Sequence, residues 1–326
     1  MLPAPLQPPG ISYQGVVISK VLLSFGIVIA AGYAWRFFEP GGIDRHRLRH
    51  ALNTVVLFLF LPALAFNLMA TTRADRTFYA VPLAAASTIL ICTAAGFAVY
   101  RFVPGLKNIP RPSMGAVLLA AAYGNVTYLG LPVITEVFGA GQGYVAILYD
   151  LLASTPVLFT AGTLISARFG SGKSVSLAAS VKRVVMLPPL WGVAAGIAVQ
   201  GTGIPVPALL LDAAAIMGRA VIPVMIFTVG LALEFRDLKR LGIAVPALAI
   251  KLALSPVLAW WIASRLGVAG VTLRVFTMEA AMPVMVLSLL IADEFDLDVP
   301  LAATCIAVST AAMLVTVPLM MRVLFS

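Results

Sequence analysis

Residues 122–132 read Ala122-Tyr123-Gly124-Asn125-Val126-Thr127-Tyr128-Leu129-Gly130-Leu131-Pro132, and how they are read decides the fold. They lie in the middle of an apolar run, roughly 112–138, that is otherwise long enough to cross a bilayer. Pro132 removes one backbone donor and clashes with the carbonyl one turn back. Gly124 and Gly130 permit non-helical dihedrals. One reading is a proline kink with an Asn packed between helices; the other is a helix that stops and restarts. Broken backbone at bilayer depth is tolerated only where it faces protein or a wet cavity. Two glycines, an Asn and a Pro together favour the second.

On that reading Pro132 suits the first turn of the restarted half-helix. The freed N–H groups of Val133 and Ile134 point back into the break. A helix N-terminus there carries partial positive charge suited to a carboxylate. The Asn125 amide and the Thr127 hydroxyl add polar partners, and Val126 and Tyr128 complete this candidate substrate-binding stretch.

Outward from the break, the whole chain is apolar. Of 326 residues, 61% are hydrophobic and 11% charged, and mean hydropathy is +1.03, against about 25% charged in an ordinary globular domain. A soluble protein so poor in charge could not cover its own surface, so lipid is the solvent for most of it. Ten apolar stretches are long enough to span, at roughly 14–37, 48–70, 77–102, 112–138, 143–168, 183–201, 207–234, 241–265, 271–292 and 297–324. The first ten residues, MLPAPLQPPG, lack a basic n-region and are not read as a removable signal peptide.

The net charge of +9 would suggest nucleic acid in a soluble protein; here it is a matter of sidedness. Call side A the side of the N-terminus. Side B carries fourteen basic residues: Arg36, Arg45, Arg47, Arg49, Arg101, Lys107, Arg111, Arg168, Lys173, Lys182, Arg183, Arg236, Lys239 and Arg240. Side A carries six: Arg73, Arg76, Arg219, Arg265, Arg274 and Arg322. The positive-inside rule makes side B cytoplasmic and puts both termini outside, in a plasma (bacterial inner) membrane.

The two halves read alike. Ala30-Ala31-Gly32 is matched by Ala194-Ala195-Gly196, Pro62 and Phe66 by Pro223 and Phe227, and Ala80-Val81-Pro82 by Ala244-Val245-Pro246. Pro132 is matched by Pro283, and Ser154-Thr155 by Ser309-Thr310. The offsets are 164, 161, 164, 151 and 155 positions. Each half holds five helices, an odd number, so the second enters from the opposite side, the inverted-repeat plan of many secondary transporters.

The ninth stretch repeats the break as Met278-Glu279-Ala280-Ala281-Met282-Pro283. Aligned on the prolines, Glu279 matches Tyr128 and Met282 matches Leu131. Two half-helices that cross would present two N-termini to one cavity, with an anion as the natural guest, which adds Met282 and Pro283 to the candidate site. Ionisable residues inside spans are costly and mark pathways. Asp150, Lys251 and Glu279 are the clear cases, and Lys251 is expected to pair with one or both acids, as a coupling site or a structural ion pair. The ammonium could stand in for a bound cation, or an acid could carry a coupling proton. From the other helices Asn53, Asn67 and Thr228 are candidates to line the cavity.

Other motifs fall away. Gly172-Lys173-Ser174 lacks the first glycine of a phosphate-binding loop, since position 167 is Ala167. Asn125-Val126-Thr127 matches a glycosylation sequon at membrane depth. His46 and His50 have no partners at ligand spacing, and Asp293, Glu294, Asp296 and Asp298 read as a polar loop rather than a calcium site. No metal site, cofactor or catalytic group is expected, and Cys92 and Cys305 read as packing residues.

These residues resemble the auxin efflux carrier family, which includes plant PIN-type carriers and bacterial carboxylate permeases. The similar stretches are LNTVVLFLFLPALAF (52–66), GNVTYLGLPV (124–133), the long run 279–320, and Lys251 with Pro256. The second crossover departs from the pattern, having Ala280-Ala281 and no Asn. The resemblance implies an all-α membrane protein of ten helices in two inverted five-helix repeats, broken at helices 4 and 9. It implies a scaffold domain (14–70 and 183–234) and a transport domain (77–168 and 241–324), with elevator-like alternating access. The expected function is secondary transport of small carboxylates or auxin-like aryl carboxylates, with no nucleic-acid partner. A homodimer through the scaffold is compatible with it. A sodium-coupled symporter of the bile-acid-carrier type is the near alternative, and a channel or a membrane-embedded enzyme or sensor the more distant ones.

Overall fold

The computed structural model describes residues 11–325 except 171, 173, 174, 236 and 237, so Lys173, Ser174 and Arg236 lie outside the described residues. Among the described residues there are helices and one isolated antiparallel bridge, Gly124 with Val284, but no strand. In chain order the helices are α1 (Ile11–Phe38), α2 (Arg45–Thr71), α3 (Thr77–Phe102), α4 (Arg111–Ala122), α5 (Val126–Phe138) and α6 (Ala140–Phe169). They continue with α7 (Leu177–Val185), α8 (Pro188–Thr202), α9 (Ala208–Ala232), α10 (Leu238–Arg265), α11 (Gly270–Ala280), α12 (Leu287–Glu294) and α13 (Val299–Phe325).

Seven of these, α1, α2, α3, α6, α9, α10 and α13, are long and apolar enough to cross a membrane. Their outward faces carry large bare side chains such as Ile27, Leu209 and Val315, a surface that only lipid solvates cheaply. The protein is therefore a multi-pass membrane protein. The fourth and ninth expected stretches are each two helices, α4 with α5 and α11 with α12, separated by short non-helical segments. The sixth departs from expectation at its start. Residues 177–185 form a separate helix, bent by 63° from α8, because Pro188 and Pro189 cannot continue it. Leu177, Val181 and Val185 are exposed along one stripe of α7.

Four helices widen into a π-turn just before a proline: Val56–Phe60 ahead of Pro62, Val126–Gly130 ahead of Pro132, Asp150–Ser154 ahead of Pro156, and Ile250–Leu254 ahead of Pro256. In each the N–H preceding the proline reaches back five residues, as from Leu131 to the Val126 carbonyl. The proline ring pushes away the carbonyl one turn back, and the wider turn absorbs the displacement. Two of the three ionisable residues expected within spans, Asp150 and Lys251, stand on such turns.

Packing follows small residues. α1 lies along α9 and α8 along α2. Gly32 faces the Phe227 carbonyl so closely that a Cβ would collide with it, and Gly196 faces the Phe66 carbonyl, 2.8 Å from where a Cβ would stand. In a membrane such close backbone approach is a principal source of helix association. On side B, Arg240 and Ser113 both bond the Asp298 carboxylate, joining the starts of α10, α4 and α13. Arg183 on α7 pairs with Glu294 at the end of α12, at 2.8 Å.

Arg219 is not in a loop on side A but the twelfth residue of α9, so the side-A count falls to five.

Candidate functional site

α4 ends at Ala122 and α11 at Ala280, and the two chains then run extended past each other. The Asn125 N–H donates to the Pro283 carbonyl at 2.7 Å, and the Met285 N–H to the Tyr123 carbonyl at 3.0 Å. With the Gly124–Val284 bridge between them, the crossing satisfies backbone groups that lipid could not. Each break is the other's hydrogen-bonding partner. The Val284 N–H is taken by the Ser309 hydroxyl at 3.0 Å.

The crossing corrects two expectations. The chain becomes helical again at Val126, so the N–H groups left over are those of Val126, Thr127 and Tyr128, not those of Val133 and Ile134. Pro132 follows a π-turn within the restarted helix, where the widened turn already accommodates it. Pro283 lies in the extended segment itself, where its missing N–H leaves nothing unsatisfied. The two bonds are related by a shift of 160 positions, 123 to 283 and 125 to 285, so Met285 is the counterpart of Asn125, and the pairing of Met282 with Leu131 does not hold. The proline-based alignment of Glu279 with Tyr128 is set aside with it.

A cavity of about 190 Å³ opens on this crossing. Its polar wall is Asn125, Thr127, Asp150 and Thr155, with Tyr128 beside them. Its apolar wall comes from Leu57 and Leu61 of α2, Leu187 and Pro189 before and within α8, Leu151 and Phe159 of α6, and Met285 and Leu287 beyond the second break. Asn125 is 3% exposed and its Nδ2 has no hydrogen-bond partner. An unpaired buried amide costs roughly 1–3 kcal/mol, and here it stands at a helix N-terminus beside unpaired N–H groups. Asp150, 4% exposed, accepts from the Thr127 hydroxyl and, at 3.0 Å, from the Thr155 hydroxyl. Arg49 of α2 lies within electrostatic reach of Tyr128.

The opposite side of the crossing is different. Helices α4 and α11 end there, with the negative poles of their dipoles. Lys251 is wholly buried and its Nζ donates to the Ala280 carbonyl at 2.6 Å, with the Ser255 hydroxyl at 3.3 Å. It forms no ion pair with Asp150 or Glu279, contrary to expectation: the free carbonyl at the end of α11 takes the ammonium instead. A Cβ on Gly124 would lie 2.9 Å from the Lys251 Cε, so the glycine leaves room for the lysine stem. Glu279, also wholly buried, has no partner at either carboxylate oxygen and packs on Gly130, where a Cβ would fall 2.6 Å from its Cδ.

Of the remaining candidates, Val126 and Met282 are buried and not among the cavity-lining residues. Asn53 lies one turn before Leu57 and does not line the cavity. Asn67 lines a second cavity, and the buried Thr228 hydroxyl is spent on the Met225 carbonyl at 2.9 Å. Thr155 and Met285 were missed as site residues. Thr155 carried a signal in the Ser154-Thr155 repeat match; the long aliphatic wall carried none, since Leu is everywhere in such a chain. Cys92 and Cys305 are free and buried, and among the described residues no three His, Cys, Asp or Glu side chains come together.

Sequence comparison agrees in kind. The family profile described as membrane transport protein matches residues 17–321. An "Uncharacterized transporter" of Methanothermobacter thermautotrophicus is 29% identical over 303 residues, covering 92% of this chain and 96% of that protein. A second protein so described, from Methanocaldococcus jannaschii, is 23% identical with the same coverage of each chain. A Rhizobium meliloti protein named "Putative malonate transporter" is 25% identical, covering 92% of this chain and 93% of its own length.

Proposed function

This chain belongs to the membrane transport protein family, the group whose auxin-carrier-like motifs its sequence carries, and from that premise we propose that it is a secondary carrier of small organic anions. The observation that carries the reading is Asn125: a buried amide with a free Nδ2, at a helix N-terminus, on the wall of a cavity. The Asn125 amide and the N–H groups of Val126, Thr127 and Tyr128 supply the donors a carboxylate needs, within a fixed positive dipole. The aliphatic wall takes the body of the acid, and Arg49 supplies long-range attraction.

Alternating access follows the elevator plan. The scaffold comprises 14–70 and 183–234 and the transport domain 77–168 and 241–324, ten spans in two inverted repeats. The matched contacts of Gly32 with Phe227 and Gly196 with Phe66, and the paired bonds at the crossing, support the repeat. Lys251 serves as a fixed cation at the two helix C-termini, in the place a coupling cation would otherwise take. Asp150, on the cavity wall, is the carrier of a coupling proton, because two carboxylates facing each other in one small cavity repel unless one is neutral. Glu279 supports the crossing through α5. Side B faces the cytoplasm, and a homodimer forms through the scaffold.

The test is counterflow in proteoliposomes loaded with a panel of unlabelled organic anions, following entry of labelled malonate, malate or indole-acetate. Saturable exchange of one of them, lost in a folded Asn125→Ala variant, is the expected result. Exchange that survives Asn125→Ala would overturn the assignment of the site.

A further inference from the structure

A second cavity, of about 290 Å³, lies along the same helix α5 toward side A. We propose that it is the receiving site for the anion when the carrier opens to side A, with Arg219 as the group that receives it. The proposal rests on the carrier reading above and adds a residue and a second site to it.

Arg219 is exposed, but it lines the second cavity and stands within a helix rather than in a loop. It is the twelfth residue of α9, about 16 Å along the helix from Ala208 at about 1.5 Å per residue. Its neighbour Gly218 packs on Leu64 of α2, where a Cβ would lie 2.7 Å from the Leu64 Cδ1, and α2 runs seven residues further to Thr71. The arginine therefore leaves its helix about two turns below the end of α2. A charge at such depth is costly and faces protein or water rather than lipid. Arg219 has no hydrogen bond or ion pair among the described residues. Asn67, on the facing wall, has no partner for its side-chain amide; Thr135 lines the cavity from α5, its hydroxyl donated to the Leu131 and Pro132 carbonyls. Neither Asp212 nor Glu136, the acids nearest in sequence, lines the cavity. A guanidinium with a free planar fork, an unused amide and no lining acid is a site for a carboxylate or another oxyanion.

The spacing of the two cavities gives the motion a length. On α2 the first cavity uses Leu57 and Leu61 and the second Leu64 and Leu68; from Asn125 just ahead of α5 and Thr127 within it, the lining passes to Leu131 and Thr135. Both offsets are six to eight residues, about 9–12 Å along a helix. A slide of α5 by that length toward side A would set Asn125 where Leu131 now stands, opposite Asn67 and Arg219. The wall opposite the site would then change from two leucines to a cation and an amide, so the two faces of the carrier would differ in their hold on the same anion. The competing structural role is an arginine that only snorkels to the side-A interface.

The experiment measures labelled malonate exchange, or that of whichever panel anion the wild type exchanges, in right-side-out and in inverted vesicles. Arg219→Gln should raise KM about tenfold from side A, leave side B within about twofold, and be rescued by Arg219→Lys. Equal change on both sides, or none, overturns the proposal. A readout without transport accompanies it: a Thr135→Cys variant should react faster with an anionic than with a cationic methanethiosulfonate, and lose that preference on adding Arg219→Gln. A preference that survives Arg219→Gln also overturns the proposal. Asn125→Ala in the same vesicles separates the two readings. If exchange survives it, the first site is wrong; if exchange is lost while Arg219→Gln has no sided effect, only the present inference fails. If the wild type exchanges no anion at all, the labelling preference alone decides.

Discussion

The backbone N–H of Asn125 meets the carbonyl of Pro283 at 2.7 Å, across 158 positions of sequence, and fixes the geometry of everything around it. Because that N–H is spent on the other crossover, the Asn125 side chain is left to face the cavity with its amide unpaired. The same bond turns the N-termini of α5 and α12 to one side of the crossing and the C-termini of α4 and α11 to the other. Opposite dipole ends thus meet different surroundings: the cavity with the unpaired Asn125 amide on one side, and Lys251 on the other.

Lys251 should act on movement rather than on recognition, because its Nζ is engaged with the Ala280 carbonyl away from the cavity. Lys251→Ala is expected to lower the rate of exchange by about tenfold or more while changing apparent affinity by less than about threefold. Side-by-side measurement of maximal rate and KM checks it, and a variant that loses affinity alone would put the lysine at the substrate.

Asp150 should couple transport to protons. Uptake by the wild-type protein should rise with an imposed inward proton gradient, and Asp150→Asn should exchange substrate at zero gradient yet lose the response. Thermal stability of the variant in detergent provides the folding control, since two threonine hydroxyls lose a charged acceptor.

Gly196→Leu should open the seam between α8 and α2, since the backbone at Phe66 and Ala70 leaves no room for a side chain. A loss of about 1–3 kcal/mol is expected from overpacking. It would be read as a fall in melting temperature, whereas Gly201, with nothing within 4 Å of its Cβ position, should tolerate Ala.

On side B, burial pushes the Asp298 carboxyl up, but hydrogen bonds from Arg240, Ser113 and the Leu301 N–H, with the Arg240 charge, hold it below its ordinary 3.8. A depressed carboxylate stabilises the fold fully above the unfolded value of about 3.9 and loses that contribution as pH falls through the folded value. Asp298→Asn should therefore melt earlier than the wild type at pH 7, with the gap closing below about pH 4. Melting curves of both proteins from pH 3 to 7 check this.

The residues that bind lipid, break helices and carry charge were legible one at a time. An 11% charged chain has to dissolve in lipid, and prolines and glycines interrupt helices wherever they stand. The breaks near Asn125 and Pro283, and the buried ionisable trio, could therefore be named from local chemistry. Local chemistry could not say which proline sits in a break and which is absorbed by a widened turn. That depends on where the backbone finds its partners, and only the crossing supplied them for residues 123–125 and 283–285. For the same reason the partner of Lys251 was misjudged: opposite charges suggested an acid, but the free carbonyl at the end of α11 lay closer. Arg219 was tallied with the side-A charges although the expected stretch 207–234 already enclosed it, and the unbroken α9 places it twelve residues into the helix. The sequence by itself determined the solvent, the helices and the polar residues held within them, because those follow from each segment's own composition. The tertiary structure alone decided which of those polar residues meet and which are left unpaired facing a cavity, because hydrogen-bond partners more than 150 residues away are chosen by packing.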